Sequence, residues 1–231
     1  MNTPSLRRPL MAVLVALLIA DASAQITTAD AFFSSVSEFY GSIKDYSAQI
    51  SVAQGSQKKA AMVGTVWFKK PDLLRIDFTT PSEQTIVFNG EILTIYLPSP
   101  DNVILTQSVG KASGSSGASL ATPQGLSLMK RYYSVAYESG PDPVPLEQGS
   151  SEYVVALLLT RRSTSEMFRT IRLLVSPDTK LIRRIDARTI SGDQIVIDFT
   201  GYSLNQGILD NRFVYDPPAS ANMYSDFLFA E

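Results

Sequence analysis

Three aspartates, Asp186, Asp193 and Asp198, lie near enough in the chain to suggest two carboxylates working as acid and base, the arrangement of a glycoside hydrolase. The other groups that usually carry catalysis are missing. The 231 residues include neither histidine nor cysteine, so no Ser/His or Cys/His nucleophile pair can be assembled, and zinc, copper or haem lack their usual ligands. No cofactor is expected and the chain is read as a non-enzyme. Charged residues mostly occupy solvated strand faces and turns, and the three aspartates are placed there. Arg161–Arg162 and Arg183–Arg184 are read in the same way, their sharper alternative being contact with lipid headgroups or a membrane partner. Trp67, the single tryptophan, is assigned to the core.

The compartment is written at the start of the chain. Arg7 and Arg8 precede an apolar run from Leu10 to Ala20, with small residues at Ala22 and Ala24, the pattern of a secretory signal cut after Ala24. That run is about half the roughly 20 residues that a membrane span needs. The mature protein, residues 25–231, is expected to be a single soluble domain without the lipid-bearing cysteine of a bacterial lipoprotein. Loss of Arg7, Arg8 and Asp21 leaves 18 basic and 21 acidic residues. A net charge near −3 offers no footprint for nucleic acid.

The elements follow from periodicity. Phe32, Val36, Phe39, Tyr40 and Ile43 recur every three or four residues behind Thr27 and Thr28, which predicts a capped helix over 29–46. Strands follow: "YSAQISV", "AMVGTVWF", and "LLRIDF" with Leu74, Ile76 and Phe78 on one face. Asn89-Gly90 between "TIVF" and "EILTIYL" predicts a type I′ hairpin with positive φ at both positions, and "VILTQSV" completes the meander. The Gly/Ser-rich stretch Gly110–Gly125 reads as a mobile loop. After it, Thr122 and Pro123 start a helix through "GLSLMKRYYSVAY", with Leu126, Met129, Tyr133 and Tyr137 on one face. Four more strands and a short "RFVY" complete a fold that is mainly β with a few helices. About eleven strands predict a curved antiparallel sheet or an incompletely closed barrel. A wide open barrel encloses more space than its side chains fill. An apolar cavity is therefore expected, with Phe32, Tyr46, Ile50, Val66, Phe88, Tyr96, Leu126, Met129, Phe168 and Phe199, or their neighbours of opposite parity, as its lining.

The stretch "GTVWFKKPDLLRIDFTTPSEQTIVFNGEILTIYLPSPDNVILT" resembles the central motif of the periplasmic outer-membrane lipoprotein carrier family, LolA-like. A Trp-containing strand leads into a basic-basic-Pro step, an apolar strand, a Pro-x-Glu/Gln turn, an Asn-Gly hairpin and a strand ending in Tyr-x-Pro. A weaker likeness extends over residues 29–218 and includes "FVYDPP". The resemblance implies an unclosed β-barrel with helices forming a lid over a hydrophobic cavity that shelters acyl chains. It implies acylated lipoproteins as cargo, an inner-membrane lipoprotein-releasing ABC transporter complex as donor, and an outer-membrane acceptor. A monomeric periplasmic chaperone fits that description; a periplasmic glycolipid carrier or lipoprotein sensor of the same fold is the alternative. Where the family commonly has a lid-holding arginine before the proline, this sequence has Lys70, which lacks the planar fork of a guanidinium.

Overall fold

A computed structural model describes residues 27–55, 62–98, 100–108 and 122–225. The signal segment and most of the Gly/Ser-rich loop lie outside the described residues. Thr28 caps helix α1 (Ala29–Ser42), its hydroxyl accepting the Ala31 N–H at 3.2 Å. The helix ends four residues before the predicted boundary, because Asp45 already belongs to the first strand. Alternating apolar residues then build β1 (Asp45–Gln54), β2 (Met62–Lys69), β3 (Leu73–Thr80), β4 (Thr85–Phe88), β5 (Ile92–Leu97) and β6 (Val103–Ser108) as an antiparallel meander. The β4–β5 turn is not type I′. Only Gly90 has positive φ (96°), while the Asn89 carboxamide oxygen accepts the N–H groups of Glu91 and Ile92.

Helix α2 (Pro123–Tyr132) begins at Thr122, whose hydroxyl accepts the Gly125 N–H. It stops earlier than the heptad-like spacing predicts. Tyr133–Tyr137 is strand β7, paired with β9 (Tyr153–Arg161) from Tyr133–Arg161 to Tyr137–Leu157. Spacings of four residues place Tyr133 and Tyr137 on one face of a strand as well as of a helix, which is why the pattern misleads. The short β8 (Val144–Pro145), then β10 (Phe168–Val175), β11 (Ile182–Thr189) and β12 (Gln194–Leu204) complete the second half. Arg212–Tyr215 is not the expected strand: Asp210–Phe213 forms a 3₁₀ turn. The last strand, β13 (Asn222–Ser225), lies parallel to β6.

One sheet of thirteen strands results among the described residues, rather than about eleven, in the order β13-β6-β5-β4-β3-β2-β1-β12-β11-β10-β9-β7, with β8 added on β9. Its edges, β13 and β7, do not pair, so the barrel is unclosed. The concave face carries Tyr46, Ile50, Val66, Phe68, Leu74 and Ile76 and, across the β1–β12 junction, Phe199, Ile185 and Leu173, packed with the buried faces of α1 and α2. The convex face of β2–β6 is covered by residues 208–225. Arg75 donates to the carbonyls of Arg212 and Val214, Lys69 pairs with Asp210 at 2.5 Å, and Phe213 is buried beneath the segment. Two assignments change as a result. Tyr96 is on the convex face, not in the cavity: it pairs across with Thr85 and Ile104, donates to Asn102 Oδ1 and packs on Tyr215. Trp67 is half-buried on the same outer face, under the Arg212 guanidinium at 4.0 Å.

Candidate functional site

Inside the barrel lies an apolar cavity of about 240 Å³. Period-two alternation supplies its wall: Ile50 and Val52 from β1, Met62 and Val66 from β2, Ile76 and Phe78 from β3, Ile86 from β4, Phe168 from β10, Ile185 and Ala187 from β11, and Ile195, Ile197 and Phe199 from β12. Tyr46 closes it at one end. One close cross-strand approach keeps the wall tight, at Gly64, where an added Cβ would meet the Asp77 carbonyl oxygen at 2.3 Å. No charged side chain lines the cavity among the described residues.

The floor is a cluster of aromatic rings under the C-terminal half of α1. Tyr46 packs on Tyr40, Phe68 and Tyr202 with centroid separations of 6.2, 5.4 and 5.6 Å. The hydroxyls of Tyr40 and Tyr202 are handled by the bulge of β11. The Ile182 N–H donates to Tyr40 Oη (3.1 Å) and Tyr202 Oη donates to the Ile182 carbonyl (2.9 Å), which leaves the Tyr40 proton for Tyr202 Oη at 3.2 Å. The ring of three hydrogen bonds pins α1 to the sheet. Burial raises the Tyr40 pKa to about 12 and pushes those of Tyr46 and Tyr202 well above the usual phenol value.

The other end is the mouth. There β1, β3, β9 and β11 end and β2, β4, β10 and β12 begin, and the lining residues Val52, Met62, Ile86, Ile195 and Ile197 are only half-buried. Helix α2 packs against α1 and against β7 at one sheet edge. Its first turn reaches the β2–β3 turn through Gln124 Nε2, which donates to the Pro71 carbonyl, and its last residue leads into Tyr133, whose hydroxyl donates to the Phe168 carbonyl at the mouth. Lys130 ties it sideways to Ser34 of α1 (2.7 Å). Lys70, in the same β2–β3 turn, donates from Nζ to the Gly41 carbonyl in the last turn of α1. The Lys70–Pro71 step thus touches both helices.

Of the residues singled out from the sequence, Tyr46, Ile50, Val66, Phe168 and Phe199 lie in the cavity wall. Phe32, Leu126 and Met129 are buried in the packed layer between helices and sheet, and Phe88 is half-buried against that layer, beyond the cavity. The lining residues not named from the sequence follow by parity once one inward residue per strand is known: Val52 two beyond Ile50, Ile195 and Ile197 behind Phe199. The three aspartates are not brought together. Asp186 accepts from Gln194 and faces Arg172, Asp193 accepts from Ser191 within its own turn, and Asp198 pairs with Arg184 at 2.5 Å.

Residues 44–216 match the family described as outer membrane lipoprotein carrier protein LolA. An outer-membrane lipoprotein carrier protein of Methylibium petroleiphilum is 25% identical over 211 residues, which cover 91% of this chain and 95% of that protein. Among solved structures, an uncharacterized conserved protein of Thermus thermophilus superimposes with a TM-score of 0.53 at 14% identity, over 84% of this chain and 96% of that one. A LolA superfamily protein of Nitrosomonas europaea gives a TM-score of 0.43 at 14% identity, over 81% and 98% of the two chains. With its unclosed barrel, its roofing helices and a match over most of its length, the chain belongs to the LolA family of outer membrane lipoprotein carrier proteins.

Proposed function

We propose that this protein is a periplasmic chaperone that shelters the acyl chains of lipoproteins in the barrel cavity and carries them from the inner to the outer membrane. The observation that carries the reading is a cavity of about 240 Å³ walled by aliphatic and aromatic side chains. Each CH₂ withdrawn from water is worth about 0.8 kcal/mol, so hydrocarbon is the cargo such a wall selects. In this reading residues 1–24 are removed on export, the carrier works as a monomer, cargo arrives from a lipoprotein-releasing ABC transporter complex in the inner membrane, and an outer-membrane acceptor takes it.

Ligand pockets commonly span roughly 300–1,000 Å³, so the space seen here suits part of one acyl chain. Further chains require displacement of the roof. Helix α2 is the part to move, since α1 is fixed by the buried Tyr40 hydrogen-bond ring, whereas the polar ties of α2 to its neighbours, through Gln124 and Lys130, lie at the surface and only its apolar face, with Leu126 and Met129, is buried. Lys70 holds the roof from the side of α1. A lysine presents one rotatable ammonium where arginine presents a fork, so closure is weakly favoured and cargo is readily released.

The test has two parts. An environment-sensitive apolar dye should bind the folded protein and be displaced by a lipoprotein. Transfer of bound lipoprotein to acceptor membranes should then be slower for Lys70→Arg than for the parent, with Lys70→Leu changed little. Absence of dye binding would sink the carrier reading; equal transfer rates for all three would remove Lys70 from lid control alone.

A further inference from the structure

Of the ten arginines within the described residues, seven have a partner. Arg75, Arg172, Arg183 and Arg184 meet carboxylates, Arg161 donates to the carbonyls of Thr164 and Glu166, and Arg131 and Arg212 lie over Tyr132 and Trp67. The guanidinium groups of Arg162, Arg169 and Arg188 have none among the described residues, and all three residues are exposed. The fold brings them to one place. Arg162 follows the end of β9, Arg169 stands at the β10 bulge beside the cavity residue Phe168, and Arg188 is opposite Thr170 near the end of β11. They sit on the cavity mouth. Two large apolar side chains stand out beside them, Met167 (54% exposed) just before Phe168 and Ile190 (58% exposed) just after the Phe168–Thr189 pair. Among the described residues, the carboxylates of this rim are Glu83, Glu166 and Asp193, of which Asp193 is occupied by Ser191.

Cations without carboxylate partners, alternating with exposed apolar side chains around an apolar opening, match the interfacial layer of a membrane: charge meets anionic headgroups while apolar side chains enter the acyl boundary. We propose that the cavity mouth docks on an anionic lipid bilayer, with Arg162, Arg169 and Arg188 against the headgroups and Met167 and Ile190 inserted at the interface. The proposal rests on the carrier reading and specifies how the cavity is presented: hydrocarbon leaves or enters at the bilayer surface without crossing water.

Sedimentation of the full protein with vesicles decides it. The protein should bind vesicles of equimolar phosphatidylcholine and phosphatidylglycerol, not vesicles of phosphatidylcholine alone, and should come off at about 1 M salt, where the Debye length is about 3 Å. The triple variant R162Q/R169Q/R188Q should bind the anionic vesicles about a hundredfold more weakly. M167D, with the arginines intact, should bind about tenfold more weakly. Both variants should keep the parent's affinity for the apolar dye. A folded parent that ignores anionic vesicles, that binds both vesicle types equally, or that binds as the triple variant does would overturn the proposal. Dye binding lost from the parent with vesicle binding retained would instead remove the carrier reading and leave the docking surface standing.

Discussion

The two ends of the barrel are built from the same kind of strand and end up opposite in character. At the floor, Tyr40, Tyr46, Phe68 and Tyr202 are packed ring against ring, and every hydroxyl in the Tyr40–Tyr202 pair has its hydrogen-bond partner in the Ile182 bulge. At the mouth, Val52, Met62, Ile86, Ile195 and Ile197 are half-buried around the cavity. A fully satisfied buried polar network specifies one arrangement and resists any other. Aliphatic side chains around a void lose dispersion contacts but keep no preference for what fills it. The floor thus supplies the stability, and in the proposed carrier reading the mouth supplies the capacity to accept cargo.

Substitutions at the two ends should separate these roles. Tyr40→Ala, at the floor, removes a buried ring and strands the Ile182 N–H, and should cost about 3–5 kcal/mol; urea unfolding measures it, and a loss as small as that of a surface substitution would mean that the floor does not hold α1. Alkali should reach the same cluster. Burial holds the Tyr40 proton in the fold up to about pH 12, whereas the unfolded phenol loses it near pH 10. Between those limits the folded state binds more protons, so its contribution is complete below pH 10 and stability falls as pH rises towards 12, by about 1.4 kcal/mol per pH unit for each such tyrosine. Urea midpoints from pH 9 to 11.5 should fall steeply for the parent and less so for Tyr40→Phe; parallel curves would show that the buried ring is not the source.

At the mouth, Ile197→Trp should lower dye affinity at least tenfold while changing stability by less than about 1.5 kcal/mol, because the larger side chain grows into free volume. Ala48→Phe, on the same concave face but in the packed region, should instead cost about 1–3 kcal/mol. Equal costs for the two would erase the distinction between ends. The smallest effect belongs to the convex face: Tyr96→Phe loses the bond to Asn102, a change of about 1 kcal/mol at most, with dye binding untouched.

Much of this architecture is written in strand alternation. Leu74, Ile76 and Phe78 share the inward face as their spacing demands, and the order of strands from β1 to β6 follows from short turns. The inward residues of separate strands cannot be put in common register from the sequence, because period two gives two faces without saying which is inside. Tyr96 shows the cost: an aromatic residue on a mostly apolar strand looks inward, yet the tail residue Tyr215 gives it a second, outer layer to be buried in. That layer is built by contacts spanning more than a hundred residues, such as Arg75 with Arg212 and Asn102 with Ser220. The hydroxyl ring of Tyr40, Tyr202 and Ile182 is hidden for the same reason, since its members are 142 to 162 residues from Tyr40 in the chain.

The parallel pairing of β13 with β6 has a consequence for self-association. An unclosed barrel necessarily ends in two strands with unpaired backbone groups, and the strands nearest this edge, "TIVF", "ILTIYL" and "VILTQS", are the kind that recruit copies of themselves when left bare. Among the described residues the rim is hemmed by four residues, Asn222–Ser225, and on the far side by the five of β7. Such short terminal strands are poor templates for cross-β growth. On the proposed carrier reading, the returning chain would let the barrel stay open for hydrocarbon while leaving only a short strand at this edge to template self-association.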